Sequence, residues 1–418
     1  MSLTIKQQEY LLSCNHRWNV KVGATGSGKS FVDYAATIPK RIMACKGEGL
    51  IVLLGNTRGT LERNILEPMR EIWTPELVGN IRADNTVAIF GKKVYALGAD
   101  NKKHVSRIQG ATIEYCYGDE VTTWSQDVFQ MLKSRLRCEH SHFDGTCNPD
   151  SPNHWFKKFL ESDADIFEQS YIIDDGVLPI YVVEELKKEY AGTVYYDRYI
   201  LGKWAMAEGL IYPMYQNALV EGLPIGASGE VIQPSDYVVS IDYGTMNAFA
   251  AMLWSKRGGV WYGEREYYYS GRDTGIQKTD QEYADDLNKW IADIWEEYQS
   301  MPIKMGGFLA TERGRIKTII DPSAASFIAL LKKSEWSKVV KADNDVMDGI
   351  RETAVSLQMG FVKILRSCTN WTSEAGGYVW DMDSGEERPI KVSDHLMDST
   401  RYFVKTMRIA AKNRQHLI

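Results

Sequence analysis

The amino-acid sequence predicts an α/β protein with a mainly parallel sheet in its N-terminal half and a mixed sheet in its C-terminal half. Three observations support this fold class. In the first half, short apolar runs alternate with stretches of helical periodicity, as expected of strands and helices that follow one another. The second half opens with three strand-like runs joined by short turns, which predicts an antiparallel meander. Between the halves lies a stretch rich in Gly and Pro without a long periodic pattern.

The length of 418 residues exceeds that of one typical domain. We therefore predict a first domain over residues 1–205, a linker over residues 206–234 and a second domain over residues 235–418. With 44% apolar and 25% charged residues, the composition is ordinary for a soluble globular protein. No apolar run reaches the length of a membrane span and the N-terminus lacks a signal-peptide core, so we expect a cytoplasmic protein without a membrane partner.

The net charge limits which binding partners are plausible, and the cysteine pattern indicates the redox state of the cellular compartment. The net charge of −6 means that binding to nucleic acid would need a local basic surface. The six cysteines are scattered and include no C-x-x-C pair, which indicates reduced thiols and not a disulfide framework.

The first domain carries a match to the phosphate-binding pattern G-x-x-x-x-G-K-[ST]. A strand-like run precedes the match, and apolar residues at helical spacing follow it as far as Pro39, where we expect the helix to end. Such a strand, turn and helix N-terminus can cradle a triphosphate, since backbone N–H groups and the helix dipole favour its charge. The alternative is a glycine-rich turn without a ligand. The motif consists of Gly23, Ala24, Thr25, Gly26, Ser27, Gly28, Lys29 and Ser30.

The motif assigns roles to two of its side chains, and a later strand adds two carboxylates. Lys29 would reach the β- and γ-phosphates, and the hydroxyl of Ser30 would hold Mg²⁺. A predicted strand that begins near residue 111 ends in Asp119 and Glu120. Asp119 on a neighbouring strand would reach the Mg²⁺, and Glu120 would orient or deprotonate the attacking water. We therefore predict a P-loop NTPase domain that hydrolyses ATP. Glu114 interrupts the apolar strand, which favours an edge position.

Other features of the first half leave alternatives open. We predict a buried parallel strand at 50–55, a helix at 61–72 and a hairpin at 87–97. A predicted helix at 129–137 ends in two arginines, which act either as an arginine finger or as cations at a helix C-terminus. The basic segment 102–107 is either solvated surface or a DNA contact. A zinc cluster is a rival interpretation for four further side chains, although their spacing matches no regular zinc module. These are Cys138, His140, His142 and Cys147.

In the second half, acidic residues stand at two strand ends and in the first turn of a helix. Asp242 ends the first strand of the meander, Asp321 ends a later apolar strand, and a final helix opens with His395 and Asp398. The latter two are three residues apart and share a helix face. This order is that of an RNase H-like nuclease, in which oxygen ligands bind Mg²⁺ or Mn²⁺ and two ions clamp a phosphodiester. Taken singly, each Asp is explained by a turn or a cap.

Four basic residues follow the acidic set at a spacing of four, three and four along the final helix. A stripe with this spacing is either a solvated face or a surface that tracks DNA phosphates. The four are Arg401, Lys405, Arg408 and Lys412.

The order of these motifs resembles the large subunit of tailed-bacteriophage terminases, the DNA-packaging motors, over essentially the whole chain. The matching pieces are the two ATPase motifs, the run from Thr146 to Pro149, the run from Gly202 to Trp204, and the acidic set. The resemblance implies ATP and Mg²⁺ as cofactors, with Mg²⁺ or Mn²⁺ at the nuclease site. His-x-x-Asp in the last helix resembles a subfamily in which a histidine, here His395, joins the metal-site carboxylates. The pair Gln7 and Gln8 resembles the adenine-contacting Q motif, and Gln8 is the predicted contact.

The resemblance also implies partners and one departure. Relatives of this kind act as a homo-oligomeric ring on the portal protein of a procapsid, with a small terminase subunit and double-stranded DNA, in the cytoplasm of the bacterial host. Many relatives carry an arginine inside the P-loop, where this chain has Ala24 and Thr25. An arginine finger would then come from Arg58, Arg135 or Arg137, in cis or from a neighbouring subunit.

Two alternatives to this function remain. One is a helicase-like, DNA-dependent ATPase whose C-terminal half only binds. The other is an RNase H-like recombinase or transposase that uses the same acidic residues for strand transfer. Loss of DNA cleavage on substitution of Asp242, with ATP hydrolysis retained, would favour the terminase over the first, and strand joining in place of cutting would favour the second.

Overall fold

The computed structural model describes residues 3–100, 110–176, 178–244, 247–300, 316–382 and 387–415. The predicted basic segment 102–107 lies outside these ranges. The chain divides after Met206 into two compact units, except that residues 188–193 group with the second. In the parts of the chain that the structure describes, no helix has both the length and the apolar character needed to cross a membrane.

The first unit is built on a seven-stranded sheet with the order β3-β4-β2-β5-β6-β1-β7. All neighbouring strands are parallel except the pair β3 and β4, which forms the predicted hairpin. The strands are β1 Trp18–Gly23, β2 Leu50–Gly55, β3 Thr86–Ile89, β4 Lys92–Gly98, β5 Ile113–Gly118, β6 His142–Cys147 and β7 Ile166–Tyr171. The α-helices are α1 Ile5–Ser13, α2 Lys29–Val32, α3 Ile38–Ala44, α4 Arg58–Leu61, α5 Glu67–Trp73, α6 Gln126–Lys133, α7 Trp155–Leu160, α8 Ile180–Tyr190 and α9 Val194–Tyr199.

Apolar residues cover both faces of this sheet, as expected of a parallel sheet between helices. On one face, Trp18 packs against Phe129 and Phe143, with ring centroids 5.4 and 5.1 Å apart. On the other face, Leu53 of β2 packs in a second cluster with Leu61 and Ile65. The central strand β2 is therefore buried along almost its whole length, and the predicted parallel strand at 50–55 is confirmed.

The helix after the P-loop does not end at Pro39, as the sequence suggested, but continues to the end of α3 at Ala44. A π-helical segment, Asp33–Thr37, joins α2 to α3 and places Pro39 in the first turn of α3. In the first turn of an α-helix the backbone N–H groups have no partner within the helix. A proline is therefore tolerated there, and the helix continues. The predicted helix at 61–72 has the same arrangement, in which a π-helical segment precedes Pro68 in the first turn of α5.

Glu114 lies on a central strand, so the predicted edge position is wrong. Its carboxylate is buried and accepts hydrogen bonds from the backbone N–H groups of residues 46–48 and contacts Nε2 of His140 at 2.9 Å. Burial raises the pKa of Glu114, but these hydrogen bonds outweigh it and the pKa is lowered. A charged residue is tolerated inside the sheet because the neighbouring loop supplies its donors.

The predicted helix at 129–137 is α6, which ends at Lys133, so both arginines lie beyond it. Arg137 is exposed and its Nε donates to the carbonyl of Ser134 at 2.7 Å. Neither arginine therefore belongs to the last turn of a helix, where it would interact with the helix dipole.

The second unit contains a seven-stranded mixed sheet with the order β13-β12-β9-β10-β11-β14-β8. The predicted meander is confirmed, since β9, β10 and β11 pair antiparallel. Strand β12 runs parallel to β9, and β13 runs parallel to β12, which completes an RNase H-like arrangement. The strands are β8 Leu219–Val220, β9 Asp236–Asp242, β10 Phe249–Arg257, β11 Val260–Tyr269, β12 Ile316–Ile320, β13 Ser337–Lys341 and β14 Val362–Leu365. The α-helices are α10 Gly271–Thr274, α11 Asp280–Ser300, α12 Ala325–Leu331, α13 Val346–Gln358, α14 Thr369–Gly377, α15 His395–Met407 and α16 Ile409–Gln415.

Helices pack on both faces of this sheet. On one face, α11 and α12 bury Tyr283 and Phe327 against Phe249 of β10. On the other, α15 stacks Phe403 on Trp254 with ring centroids 4.2 Å apart. A buried hydrogen bond of 2.8 Å between Ser240 and Ser399 fixes α15 against β9. The start of α15 is thereby held at the end of β9.

The first two members of the predicted basic stripe on the last helix do not lie on a surface. Arg401 and Lys405 are buried and pair with Asp398 at 2.9 Å and with Asp348 at 2.6 Å, because their face of α15 packs against α13 and not against solvent. Arg408 has a left-handed conformation that ends α15, so the face does not continue into α16. Both interpretations of the stripe, a solvated face and a phosphate track, are therefore wrong for its first two members.

Candidate functional sites

The P-loop follows β1 and places Lys29 under the loop. Gly26 and Gly28 have φ values of 67° and 83°, which favour glycine. The ammonium of Lys29 donates to the carbonyl oxygens of Gly23 and Ala24 at 2.8 and 2.5 Å and to Oδ1 of Asn148 at 3.1 Å. Burial lowers the pKa of Lys29 to about 8. The loop thus surrounds one buried cation with carbonyl oxygens.

Strand β6 lies between the P-loop strand and β5, so Asp119 is two strands from β1 and not on the neighbouring strand that the sequence suggested. Two residues at the end of β6 bridge this distance. The hydroxyl of Thr146 donates to Oδ1 of Asp119 at 3.2 Å, and Asn148 contacts Lys29. The run from Thr146 to Pro149 therefore joins the two ATPase motifs at one edge of the sheet.

Asp119 is 3% exposed and its side chain also contacts Nδ2 of Asn64 at 3.5 Å. Burial raises the pKa of Asp119 to about 7, with a further contribution from the charge of Glu120. Glu120 has a left-handed backbone with φ of 49°, and its N–H approaches the hydroxyl of Thr146 at 3.4 Å. A non-glycine residue in this conformation is strained, and such strain is concentrated at functional sites.

The two adjacent glutamines have different partners, and it is not the predicted Gln8 that contacts the P-loop. Gln8 is exposed and its side chain donates to the carbonyl of Leu3 at 2.9 Å. Gln7 is buried and donates to the carbonyl of Gly28, inside the P-loop, at 3.0 Å. Its Oε1 accepts from the N–H of Thr4 and so completes the capping box of α1. Gln7 is therefore the residue that the structure brings to the P-loop.

Among the candidate arginine fingers, Arg58 is exposed and donates to Oδ1 of Asn85 at 3.1 Å and to the carbonyl of Ile81 at 3.2 Å. Asn64, which contacts Asp119, was not identified from the sequence, and Gln7 was named only as part of the glutamine pair. Asn64 carries no motif, and its approach to Asp119 depends on the path of the helical segment after β2.

Asp242, His395 and Asp398 of the predicted acidic set lie where β9 ends and α15 begins. Nδ1 of His395 lies 2.9 Å from Oδ2 of Asp242. Asp398, one turn further along α15, is bound by two cations: Oδ2 by Lys391 at 2.8 Å and Oδ1 by Arg401 at 2.9 Å. Lys391 is a functional candidate that the sequence did not suggest, because it belongs to no motif.

Asp321 accepts hydrogen bonds from the N–H of Ser323 at 2.7 Å and from Nδ2 of Asn344 at 3.1 Å. Its relation to the other carboxylates is visible at Tyr402. Burial raises the pKa of Tyr402, and the charges of Asp242, Asp398 and Asp321 raise it further. The same phenol therefore senses the charge of all three predicted carboxylates, while Arg401 lowers its pKa.

Negatively charged side chains are concentrated around Asp242. Burial raises the pKa of Asp242, and the negative charges of Asp398 and Asp394 add to the rise, while His395 opposes it. Burial lowers the pKa of His395, but its contact with Asp242 dominates and the pKa is raised. Carboxylates that raise one another's pKa are stabilised by a cation, and carboxylate oxygens suit Mg²⁺ or Mn²⁺.

A metal would nevertheless need some rearrangement. Within the described ranges, no three His, Cys, Asp or Glu side chains are arranged as a ready metal site. At the acidic set, the ammonium of Lys391 takes part of the space between carboxylates. The rival zinc cluster is not assembled, since His140 contacts Glu114 and His142 contacts the carbonyl of His16.

Comparisons with known proteins agree with this architecture. Residues 21–216 match the family described as terminase large subunit, T4likevirus-type, N-terminal. The structure of the large terminase from a thermophilic bacteriophage is 32% identical and has a TM-score of 0.81, with 97% of this chain and 99% of that chain covered. The same phage's large terminase in complex with ATP-gamma-S is 33% identical with a TM-score of 0.79, covering 96% and 98% of the two chains. No curated protein sequence matches the chain.

The comparison with the thermophilic phage's large terminase extends over both units at more than 30% identity, and the family match begins inside β1, just before the P-loop. Two α/β units in this order, the first with a P-loop and the second with an RNase H-like sheet, agree with both findings. The chain is a member of the large-subunit family of bacteriophage terminases, the DNA-packaging motors.

Proposed function

We propose that the first domain, residues 1–205, hydrolyses ATP to drive double-stranded DNA into a procapsid. The observation that supports this most is the bridge through β6, in which Asn148 contacts Lys29 while Thr146 contacts Asp119. Complexes of the thermophilic phage's large terminase with ADP and with ATP-gamma-S support a nucleotide ligand. Mg²⁺ would be held by Ser30 and Asp119 and would neutralise charge on the phosphates.

The remaining roles follow from the chemistry of phosphoryl transfer. The P-loop from Gly23 to Gly28 binds phosphate oxygens through backbone N–H groups, and Lys29 leaves its carbonyl partners to pair with the β- and γ-phosphates. Glu120 orients the attacking water and accepts its proton. The experiment is ATP hydrolysis by Glu120→Gln: we expect loss of turnover with retained nucleotide binding. Turnover equal to that of the wild type would contradict the assignment.

We further propose that the second domain, residues 235–418, is a metal-dependent DNA endonuclease, joined to the first by the linker 206–234. Asp242, Asp321 and Asp398 would hold Mg²⁺ or Mn²⁺, with His395 as a further ligand or proton carrier. Bound metal would activate water and stabilise the leaving oxygen of the phosphodiester. The 2.9 Å contact between His395 and Asp242, next to Asp398, supports this site most directly.

The test separates this proposal from its alternatives. Plasmid DNA is incubated with Mg²⁺ or Mn²⁺ and either the wild type or Asp242→Ala. We expect the variant to lose cleavage and to keep ATP hydrolysis. Cleavage that survives in Asp242→Ala would refute the site, the absence of any cleavage by the wild type would favour the helicase-like ATPase, and joined strands would favour the recombinase.

The partners follow from the family in the same way. We propose that the chain acts as a ring on the portal protein with a small terminase subunit, in the cytoplasm of the infected host. A finger arginine from Arg58, Arg135 or Arg137 of the same or a neighbouring subunit would complete the ATPase site. Sedimentation of the chain with and without its portal tests the ring, which we expect only on the portal.

A further inference from the structure

Asp394, directly before α15, has a buried carboxylate that does not cap the helix. Asp394 is the N-cap residue of the helix, a position where Asp usually accepts a hydrogen bond from the first turn. Here its side chain makes no cap bond, because Oε2 of Glu374 accepts from the N–H of Leu396 at 2.6 Å instead. Because Glu374 caps the helix, the carboxylate of Asp394 is available for another partner.

Asp394 is 5% exposed, and no backbone N–H of the described residues donates to its Oδ2. Its contact is an ion pair: the ammonium of Lys391 lies 2.9 Å from this oxygen and 2.8 Å from Oδ2 of Asp398. One cation thus bridges two carboxylates one helical turn apart. Carboxylate pairs with a shared cation at their centre are the kind of site that a divalent ion can take over.

The two cations on Asp398 differ in how easily they can leave. The side chain of Arg401 is 2% exposed and also donates to the carbonyls of Asn344 and Asp345, so it is fixed. The side chain of Lys391 is 53% exposed and precedes the helix on an irregular segment. Arg401 can therefore hold Oδ1 of Asp398 in place while Lys391 moves away from Oδ2.

We propose that Lys391 is an exchangeable counter-ion of the nuclease site, which a divalent cation displaces from between Asp394 and Asp398. Asp394 then becomes an additional metal ligand, and the released ammonium is free to bind a DNA phosphate. The inference rests on the proposed nuclease function, since it concerns the cation of that same site.

The experiment measures Mn²⁺ binding to the full chain by titration calorimetry, and the component that Asp242→Ala abolishes is assigned to this site. Removing a half-exposed competing cation in Lys391→Met should tighten that component by about fivefold. Lys391→Arg, which keeps the charge, should stay within about twofold of the wild type, as should Lys333→Met, a control at an exposed lysine of the same unit. Asp394→Asn should weaken the component.

A second measurement follows the lysine itself. Acylation of Lys391 by an amine-reactive reagent, read by mass spectrometry, should increase when Mn²⁺ is added to the wild type. Unchanged labelling, or unchanged Mn²⁺ affinity in Lys391→Met, would overturn the exchange while leaving the nuclease proposal intact. If no Mn²⁺ binding depends on Asp242 in any of the variants, both proposals fail.

Discussion

The hydroxyl of Thr146 donates a 3.2 Å hydrogen bond to Oδ1 of Asp119, and its oxygen accepts from the N–H of Glu120 at 3.4 Å. One side chain of β6 therefore touches both acidic residues of the hydrolysis motif. Because β6 stands between β5 and the P-loop strand, Thr146 also lies on the strand that separates the two ATPase motifs.

Replacing Thr146 by Val removes this hydroxyl at nearly constant volume. We expect kcat for ATP hydrolysis to fall about tenfold, because a lost hydrogen bond to a charged partner costs about 1.5 kcal/mol or more. Nucleotide affinity should change less than kcat. Thr146→Ser keeps the hydroxyl and should restore most of the rate, and equal rates for Val and Ser would contradict this role.

The two adjacent glutamines provide a matched pair. Gln7→Ala should weaken ATP binding by about three- to tenfold, since it removes the hydrogen bond to Gly28 that orders the P-loop. It should also lower the free energy of unfolding by about 1 kcal/mol through loss of the capping box. Gln8→Ala should leave affinity unchanged. Equilibrium binding of a fluorescent ATP analogue measures both variants, and the opposite ranking would contradict the account.

The conformation of Gly202 connects the segment after α9 with the P-loop. Its φ is 65°, and a Cβ placed there would lie 2.1 Å from the carbonyl oxygen of Tyr171 and 3.0 Å from Cα of Gly23. Gly202→Ala should therefore shift the P-loop, weaken ATP binding by about tenfold or more, and lower the melting temperature.

Gly209 supplies the control for this substitution. It has a similar φ of 70°, but a Cβ there would meet nothing within 4 Å. Gly209→Ala should show only the backbone strain of about 1–2 kcal/mol and normal ATP binding. If both variants bind ATP as tightly as the wild type, the close approach of Gly202 to the P-loop has no functional role.

A buried ion pair lies beneath the P-loop helix. Nζ of Lys21 is 2.7 Å from Oδ1 of Asp33, both side chains are fully buried, and burial raises the pKa of Asp33 to about 6. Asp33→Asn would leave the buried cation unpaired and should destabilise the protein by about 3–5 kcal/mol. Denaturant unfolding measures the change.

The double variant Lys21→Met/Asp33→Leu tests the cause. Desolvation outweighs attraction in such pairs, so removing both charges should recover most of the stability lost in Asp33→Asn. A double variant as unstable as the single one would show that packing, and not the unpaired charge, explains the loss.

Most of the fold and the main motifs were predictable because their signals are local. The P-loop, the meander and the strand ends that carry Asp242 and Asp321 follow from hydrophobic periodicity and from turn residues. The exceptions depend on partners distant in sequence. Glu114 looks like an edge residue until the loop at 46–48 and His140 are seen to supply its donors.

The remaining site details depend on partners of the same kind. The stripe that begins with Arg401 and Lys405 has the spacing of a surface, but the packing of α13 buries these two residues. Lys391 and Asn64 carry no motif, and only the course of the chain brings them to Asp398 and Asp119. Sequence periodicity shows which face of a helix or strand is apolar. It does not show which polar groups, distant in sequence, will contact that element in the fold.

The central claim, that a metal-dependent nuclease accompanies the ATPase, is tested most directly by diffraction from crystals of the full chain soaked in Mn²⁺. Anomalous scattering locates the ion without assumptions about its ligands. We predict a peak about 2.0–2.5 Å from carboxylate oxygens of Asp242 and Asp398, with Asp321 turned towards the site and Lys391 withdrawn from Asp398. No anomalous peak at these carboxylates, at an Mn²⁺ concentration that supports DNA cleavage, would contradict the account.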